Sequence, residues 1–154
     1  MTEAESEHSI DDSGNGYVLT LPRQTPRGQP VDVQRGVRRG AHVMHAESPD
    51  QHELYVEVTS YPGTLDHAEL VRSQHAFLTE QSSQGRIGTV GRGRVEPYDA
   101  TTFDFEGPLQ GRWKVRRFLF VDGAHRTYRI VFDPTSALNG RVLDTLRWIG
   151  ADAS

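Results

Sequence analysis

The 154-residue chain contains no cysteine. That excludes a disulfide framework, a thiol nucleophile and a Cys-ligated zinc site together. Lysine is nearly absent: Lys114 stands alone against sixteen arginines. No apolar run approaches the roughly 18 residues that a membrane-spanning helix needs. The opening MTEAESEHSIDDSGNG has no apolar stretch of the kind a secretory signal carries. The expectation is therefore a cytoplasmic protein with no membrane span. Catalytic signatures are missing as well. There is no Gly-x-Ser-x-Gly elbow, and no glycine loop ends in Gly-Lys-Ser/Thr.

What is present is the composition of one globular domain, with 35% hydrophobic and 25% charged residues. The length suffices for a core without metal or disulfide staples. Charge is unevenly placed. Residues 1–12 hold five carboxylates and no Lys or Arg, so a chain total of −4 leaves the other 142 residues at +1. A near-neutral body is a poor match to nucleic acid, which calls for a strongly basic face. Residues 1–15 are polar and acidic and read as a disordered tail, 16–150 as the domain, and 151–154 as a second tail.

Hydrophobic spacing divides the domain. Gly16 to Leu21 is a short strand closed by Pro22, and Arg23 to Pro30 is a loop. Val31–Val33 and Val37–Ala46 are strand candidates, broken near Gly36 or Gly40, and Ser48-Pro49-Asp50 is a turn. Glu53 to Thr59 alternates cleanly, with Leu54, Val56 and Val58 on one side. From Leu65 to Gln81 the period becomes helical, with Leu65, Ala68, Val71 and Leu78 on one stripe and Leu70 and Phe77 beside it. Thr64 or Asp66 is placed to cap that helix. Ser82 to Gly93 reads as a loop with a short strand near Ile87–Val90. Strands follow at Gly93–Tyr98 and Thr101–Glu106, then a turn over Gly107–Gly111. Arg112–Val121 is a long strand, Asp122-Gly123 has the form of a type I′ hairpin turn, and His125–Phe132 returns. Asp133-Pro134 reads as an N-cap and first-turn proline. Leu138, Val142, Leu146 and Ile149 then make a closing helix ended by Gly150. Strands segregated from helices in this way indicate an α+β fold, an antiparallel sheet of about six strands flanked by helices.

Four stretches carry a resemblance. They are the opening strand Tyr17–Pro22, the strand Leu54–Val58 running into the helix at Leu65, the hairpin Phe118–Gly123 with Tyr128–Phe132, and the closing segment Val142–Ile149. Together they resemble the Mog1/PsbP-like family, an α/β/α sandwich that includes bacterial DUF1795 and DcrB-like domains. The resemblance covers Gly16 to Gly150. It implies a non-enzymatic domain that binds another protein, since similar domains include a Ran-binding nuclear protein, an extrinsic subunit of the photosynthetic water-oxidising complex and chaperones of secretion effectors. It supplies no residue-by-residue functional motif, cofactor or metal.

Candidate chemistry is sparse. His42 and His45 would face opposite sides of a strand, and His52-Glu53 adds no converging third ligand, so a metal site is not expected. Gly88 to Arg94 has neither the spacing nor the following helix of a nucleotide loop. Asp99, Asp104 and Glu106 read as surface carboxylates. Arg112, Lys114 and Arg116 share one face of a strand that turns aromatic at Phe118 and Phe120, with Trp113 alongside. They either pair across strands with Asp104, Glu106, Glu53 or Glu57, or form a basic and aromatic surface for an acidic partner. The expected function is a protein-binding, adaptor or chaperone-like domain using Arg112, Trp113, Lys114, Arg116 and Phe118, with a second copy of the chain as one candidate partner. The alternative is a small-ligand-binding protein or cryptic enzyme. It would show a pocket between sheet and helices lined by Arg112, Arg116 and a histidine.

Overall fold

Alternating segments form strands and the segment of longer period forms a helix. The computed structural model describes residues 7–12, 16–63, 65–81 and 84–149, and of 7–12 the backbone alone. In chain order the elements are β1 (Glu7–Asp12), β2 (Tyr17–Pro22), β3 (Asp32–Arg38), β4 (Ala41–Glu47), β5 (Tyr55–Pro62), α1 (His67–Gln81), β6 (Arg86–Ile87) and β7 (Gly91–Val95). They continue with β8 (Tyr98–Leu109), β9 (Arg112–Asp122), β10 (Arg126–Phe132), α2 (Ala137–Leu143) and β11 (Arg147–Trp148). One eight-stranded antiparallel sheet runs β3-β4-β5-β10-β9-β8-β6, with β7 also paired to β8. A three-stranded sheet runs β1-β2-β11. The α+β class holds, with eight strands in the main sheet where about six were expected.

Both faces of the main sheet are covered. On one, Met44, Val56, Val58, Val121, Tyr128 and Ile130 are buried against Tyr17, Leu19 and Leu21 of β2 and Val142 and Leu146 of the closing segment. On the other, Phe103, Phe105, Phe118, Phe120 and Val131 lie beneath Val71 and Leu78 of α1. The Phe103 ring stacks on Phe118 at 5.0 Å and on Phe120 at 5.9 Å. The layers are therefore α1, the large sheet, and the small sheet with α2. Among the described residues no helix is long and apolar enough to cross a membrane.

Several elements depart from the sequence reading. The strand expected to stop at Gly107 runs on to Leu109, and only Gln110-Gly111 turns, with φ of +52° and +81°. Pro108 is tolerated there because it sits opposite Trp113, one step from the Leu109–Arg112 pair that closes the turn. Antiparallel alternation points its nitrogen away from β9, beyond the end of β6, where no ladder bond is lost. Arg39-Gly40 is a second turn of this kind, at φ +52° and +82°. Asp122-Gly123 is not one. Asp122 pairs with Thr127 and accepts its hydroxyl at 3.2 Å, and the longer connection closes through Gly123 N–H to Arg126 O at 2.8 Å.

The closing helix stops at Leu143. The Thr145 hydroxyl donates to Val142 O at 2.6 Å and accepts from Thr20 N–H at 2.9 Å, which turns the chain into β11 beside β2. Trp148, on that strand, packs on Tyr98 and Tyr128 and donates to Glu96 O at 2.8 Å. The tail reading fails over Glu7–Asp12, whose backbone pairs along β2 from Glu7↔Pro22 to Asp12↔Tyr17, filling that strand's open edge. The rest of that tail, the 151–154 tail, Thr64 and Gly150 lie outside the described residues. Asp66 caps α1 by accepting Glu69 N–H at 3.1 Å. The buried face of α1 is rotated from the expected stripe: His67 and His75 share it with Val71 and Leu78, while Ala68 and Phe77 face solvent.

Phe120→Ala is expected to cost about 3–5 kcal/mol by deleting a buried ring. Phe77→Ser is expected to stay within about 0.5 kcal/mol, because that ring is 53% exposed. Urea unfolding of the two variants checks both values.

Candidate functional site

The alternating cations of β9 do not make one surface. Arg112 is exposed, Lys114 is half-buried, and Arg116 is 2% exposed. Phe118, two residues on, lies under α1. The site that Arg116 builds is a polar knot at the end of the sheet, where β9 begins and β10 ends. Its Nη1 donates to Val115 O at 2.8 Å and to Asp133 Oδ2 at 3.4 Å, and its Nη2 donates to Gln51 O at 3.0 Å. The guanidinium lies 3.7 Å over the Tyr55 ring. Burial pulls the Arg116 pKa down, opposed by Tyr55 and Asp133. Burial likewise raises the Tyr55 phenol, with the Glu57 charge adding to it, so the ring that Arg116 covers is neutral.

Asp133 is not a helix cap. It is buried, with Oδ2 2.8 Å from His52 Nδ1, while Oδ1 accepts Thr135 N–H at 2.9 Å and the Thr135 hydroxyl at 2.5 Å. The helix starts instead at Ser136, which makes no side-chain cap. Asn139, fully buried on α2, accepts Tyr55 N–H at 2.9 Å and donates to Asp133 O at 2.9 Å and His52 O at 3.3 Å. The loop before β5 is held on its other side by Asp50, whose Oδ1 accepts from the Ser48 hydroxyl at 2.6 Å and from the N–H groups of His52 and Glu53 at 3.0 and 3.1 Å. Partial burial pushes the Asp50 carboxyl up. The hydrogen bonds from Ser48, His52, Gln29 and Glu53 outweigh it and hold the group well below the usual carboxylate range.

Above this knot lies a cleft of about 220 Å³. The buried Arg116 and Asp133 line its floor, and the exposed His52, Arg112 and Trp113 and the half-buried Lys114 line its outer part. Arg112 donates to Pro49 O at 3.2 Å and Lys114 to Gln110 Oε1 at 3.4 Å. Neither cation makes an ion pair among the described residues. The Lys114 pKa is lowered by burial, and Arg116 and Arg112 push the same way against an opposing Glu47. Trp113 is 59% exposed.

The cross-strand ladder expected for these cations is absent, for a reason of parity. Register sets Arg116 opposite Phe105 and Lys114 opposite Gly107. Asp104 and Glu106 of β8 lie on the other face. There Asp104 meets Arg117 in a forked pair at 2.8 and 3.0 Å, and Glu106 takes the Trp113 indole N–H at 3.4 Å. Asp99 pairs with Arg94 at 2.9 Å, and Glu57 with Arg129 at 2.8 Å. His42 and His45 project from opposite faces of β4, and His45 lies 3.3 Å from Glu47. Among the described residues no three metal-type ligands converge. Gly91 to Arg94 belong to β7, paired along β8, and do not form a loop around an anion. Sequence reasoning missed Asp133 and Asn139. The Asp-Pro pair mimics a cap, and nothing local marks a buried asparagine.

No protein-family model matches the chain, and no curated protein does. Five solved chains are similar to it. One is the solution structure of cyanobacterial PsbP (CyanoP) from Synechocystis sp. PCC 6803, at TM-score 0.57 and 10% identity, covering 94% of this chain and 93% of that one. The likeness shows the Mog1/PsbP-like fold.

Arg116→Ala is expected to cost about 3–5 kcal/mol, because it removes the guanidinium from the buried Asp133 carboxylate and leaves it with only His52 and Thr135. Thermal unfolding checks it. Asp50 ionises more readily folded than unfolded, so its contribution is complete above its unfolded pKa of about 4 and is lost as pH falls below that. The stability difference between the wild type and Asp50→Ala, followed by urea unfolding, is expected to shrink on acidification below that point. A constant difference would be the wrong result.

Proposed function

We propose that the protein is a non-enzymatic, adaptor-type binding module that holds an acidic segment of another protein at the β8–β9 hairpin. The supporting observation is the outer part of the cleft. Arg112 and Lys114, on one face of the strand end, make no ion pair among the described residues, and the exposed Trp113 projects from the opposite face between them. Aromatic and arginine anchors dominate interface energetics, and an uncompensated positive rim selects an acidic complement.

Size favours this reading over a small-molecule site in the same place. The residue set named for such a pocket is present: Arg112, Arg116 and His52 all line the cleft. Its volume of about 220 Å³ is below the roughly 300–1,000 Å³ that small-molecule sites occupy. The hydrogen bonds of Arg116 also run inward, to Val115, Gln51 and Asp133. Space of that size suits one carboxylate side chain, with the rest of the partner running around the end of the hairpin to Trp113 on its other face.

Tagged protein incubated with lysate of its own cells is expected to retain a stoichiometric partner bearing an acidic segment. Arg112→Glu/Lys114→Glu, which spares the buried Arg116, should release it. Exposed ion pairs contribute only about 0.2–1 kcal/mol each, so the larger effect should come from the aromatic anchor. Trp113→Ala is expected to weaken binding by about 30-fold, the loss corresponding to a hot spot of about 2 kcal/mol. Binding should also weaken as salt rises. A partner held equally well by both folded variants would sink the reading.

A further inference from the structure

One end of the large sheet is β3, which pairs with β4 alone. The pairing runs without a bulge from Asp32↔Glu47 to Arg38↔Ala41. Every residue of β3 except Val33 is exposed, and Val37, at 65%, is the most exposed large apolar side chain among the described residues. We propose that β3 is a self-pairing edge: two copies of the chain join there, antiparallel about a two-fold axis through Arg35, so that their large sheets become continuous.

The first support is the direction of the backbone groups. Arg39-Gly40 turns with φ of +52° and +82°, the form of a two-residue type I′ hairpin, so Arg38 and Ala41 beside it exchange hydrogen bonds. Alternation from that pair points the N–H and C=O groups of Gly36, Gln34 and Asp32 toward β4, and those of Val37, Arg35 and Val33 away from the sheet. Such a row is a template for another strand. Edges are commonly protected by shortness, a bulge or a proline. Asp32–Arg38 is seven residues long, regular and free of proline. Its protection is charge.

The charges select the occupant. Residues directly opposite in an antiparallel pair share a face, and a two-fold contact makes every such pair twice. Centred on Arg35, the register sets Asp32 opposite the partner's Arg38 and Val33 opposite the partner's Val37. The outward backbone groups also meet in this register, Val33 with the partner's Val37 and Arg35 with the partner's Arg35. Two attractive pairs then stand against one repulsive contact on the axis. Sliding the strands to put Gly36 or Gln34 on the axis sets Asp32 opposite a glycine and pairs no opposite charges. Charges that deter a foreign strand therefore admit a second copy.

Asp32 gives a further reason. Its own chain sets it opposite another carboxylate, Glu47, and like charges directly opposite are destabilising. The Asp32 carboxylate accepts from Gln34 Nε2 at 3.2 Å, a neutral donor, and neither Asp32 nor Arg38 makes an ion pair among the described residues. The partner's Arg38 supplies the missing cation on the open side.

The test is sedimentation equilibrium of the full chain at up to about 1 mM, where a dimer is expected. Arg38→Asp and Asp32→Arg each set like charges face to face and should weaken the dimer about tenfold or more. The double variant Asp32→Arg/Arg38→Asp exchanges the pair and should restore it. Both positions are exposed, and circular dichroism checks that the variants fold. The chain has no cysteine, so Arg35→Cys should give a disulfide-linked dimer on mild oxidation. Its two copies lie about 5.5 Å apart across the axis, within disulfide reach. Gly36→Cys, which faces the partner's Gln34, should not cross-link. A dimer that folded Arg38→Asp leaves intact would overturn the proposal, as would cross-linking through Gly36→Cys but not Arg35→Cys. A chain that stays monomeric would also overturn it, in favour of a foreign strand if hexaglutamate then shifts the β3 amide resonances.

Discussion

A guanidinium buried at the end of the sheet constrains everything around it. Arg116 cannot lose its proton and has no water to turn to, so its neighbours must supply an anion and acceptors. Asp133 supplies the anion, and carbonyls from the loop before β5 and from β9 itself supply the acceptors. Each supply has a structural consequence. Asp133 faces inward and so cannot cap the following helix, which begins without a side-chain cap at Ser136. The loop must present Gln51 O, and it is held in place by Asp50 from one side and Asn139 from the other. Asn139 in turn ties α2 to the first residue of β5. The floor of the cleft is rigid because one charge inside it has to be satisfied.

The same constraint separates the floor of the cleft from its rim. On the floor, Arg116, Asp133 and Asn139 bond to one another's segments and to the surrounding chain. Outside it, Arg112, Trp113 and Lys114 sit on the part of β9 that runs past the core under α1. Six residues later the strand has Phe118 and Phe120 beneath the helix and Leu119 and Val121 on the opposite core. One strand therefore changes from exposed surface to core along its length, and the change occurs at Arg116.

This division shows what the sequence could and could not disclose. Where burial on one face alternates with exposure, as at Leu54, Val56 and Val58, the pattern reads directly as a strand with a known inner side. The Mog1/PsbP-like order of elements was legible for the same reason, as was the basic character of the Arg112–Arg116 stretch. Parity along β9 was legible too, but the partner across the ladder was not. Which carboxylate faces which cation depends on a register fixed by the Gln110-Gly111 turn, and Gly107-Pro108 disguised where that turn begins. The closing segment misled because i, i+4 spacing fits both a helix and a half-helix followed by a strand. Thr145 decides between them through a bond to Thr20, 125 residues away in sequence. The Asp133–Asn139 knot depends on contacts of 52–55 with 133–139, and no local pattern records those.

Arg116 and Arg117 show how far position outweighs identity. They are adjacent, chemically the same, and each meets an aspartate. Arg117 and Asp104 are both more than two-fifths exposed, so their forked pair is worth no more than about 1 kcal/mol and both groups remain hydrated. Arg116 and Asp133 are nearly dry, with side chains 3% and 4% exposed, and their pairing is a condition of folding. Because successive residues of a strand point to opposite faces, the two arginines also serve opposite sides of the molecule: one closes the floor of the cleft, the other lines a groove beside β7. A site can then be altered on one face of β9 without disturbing the other, provided that the buried member of the pair is left alone.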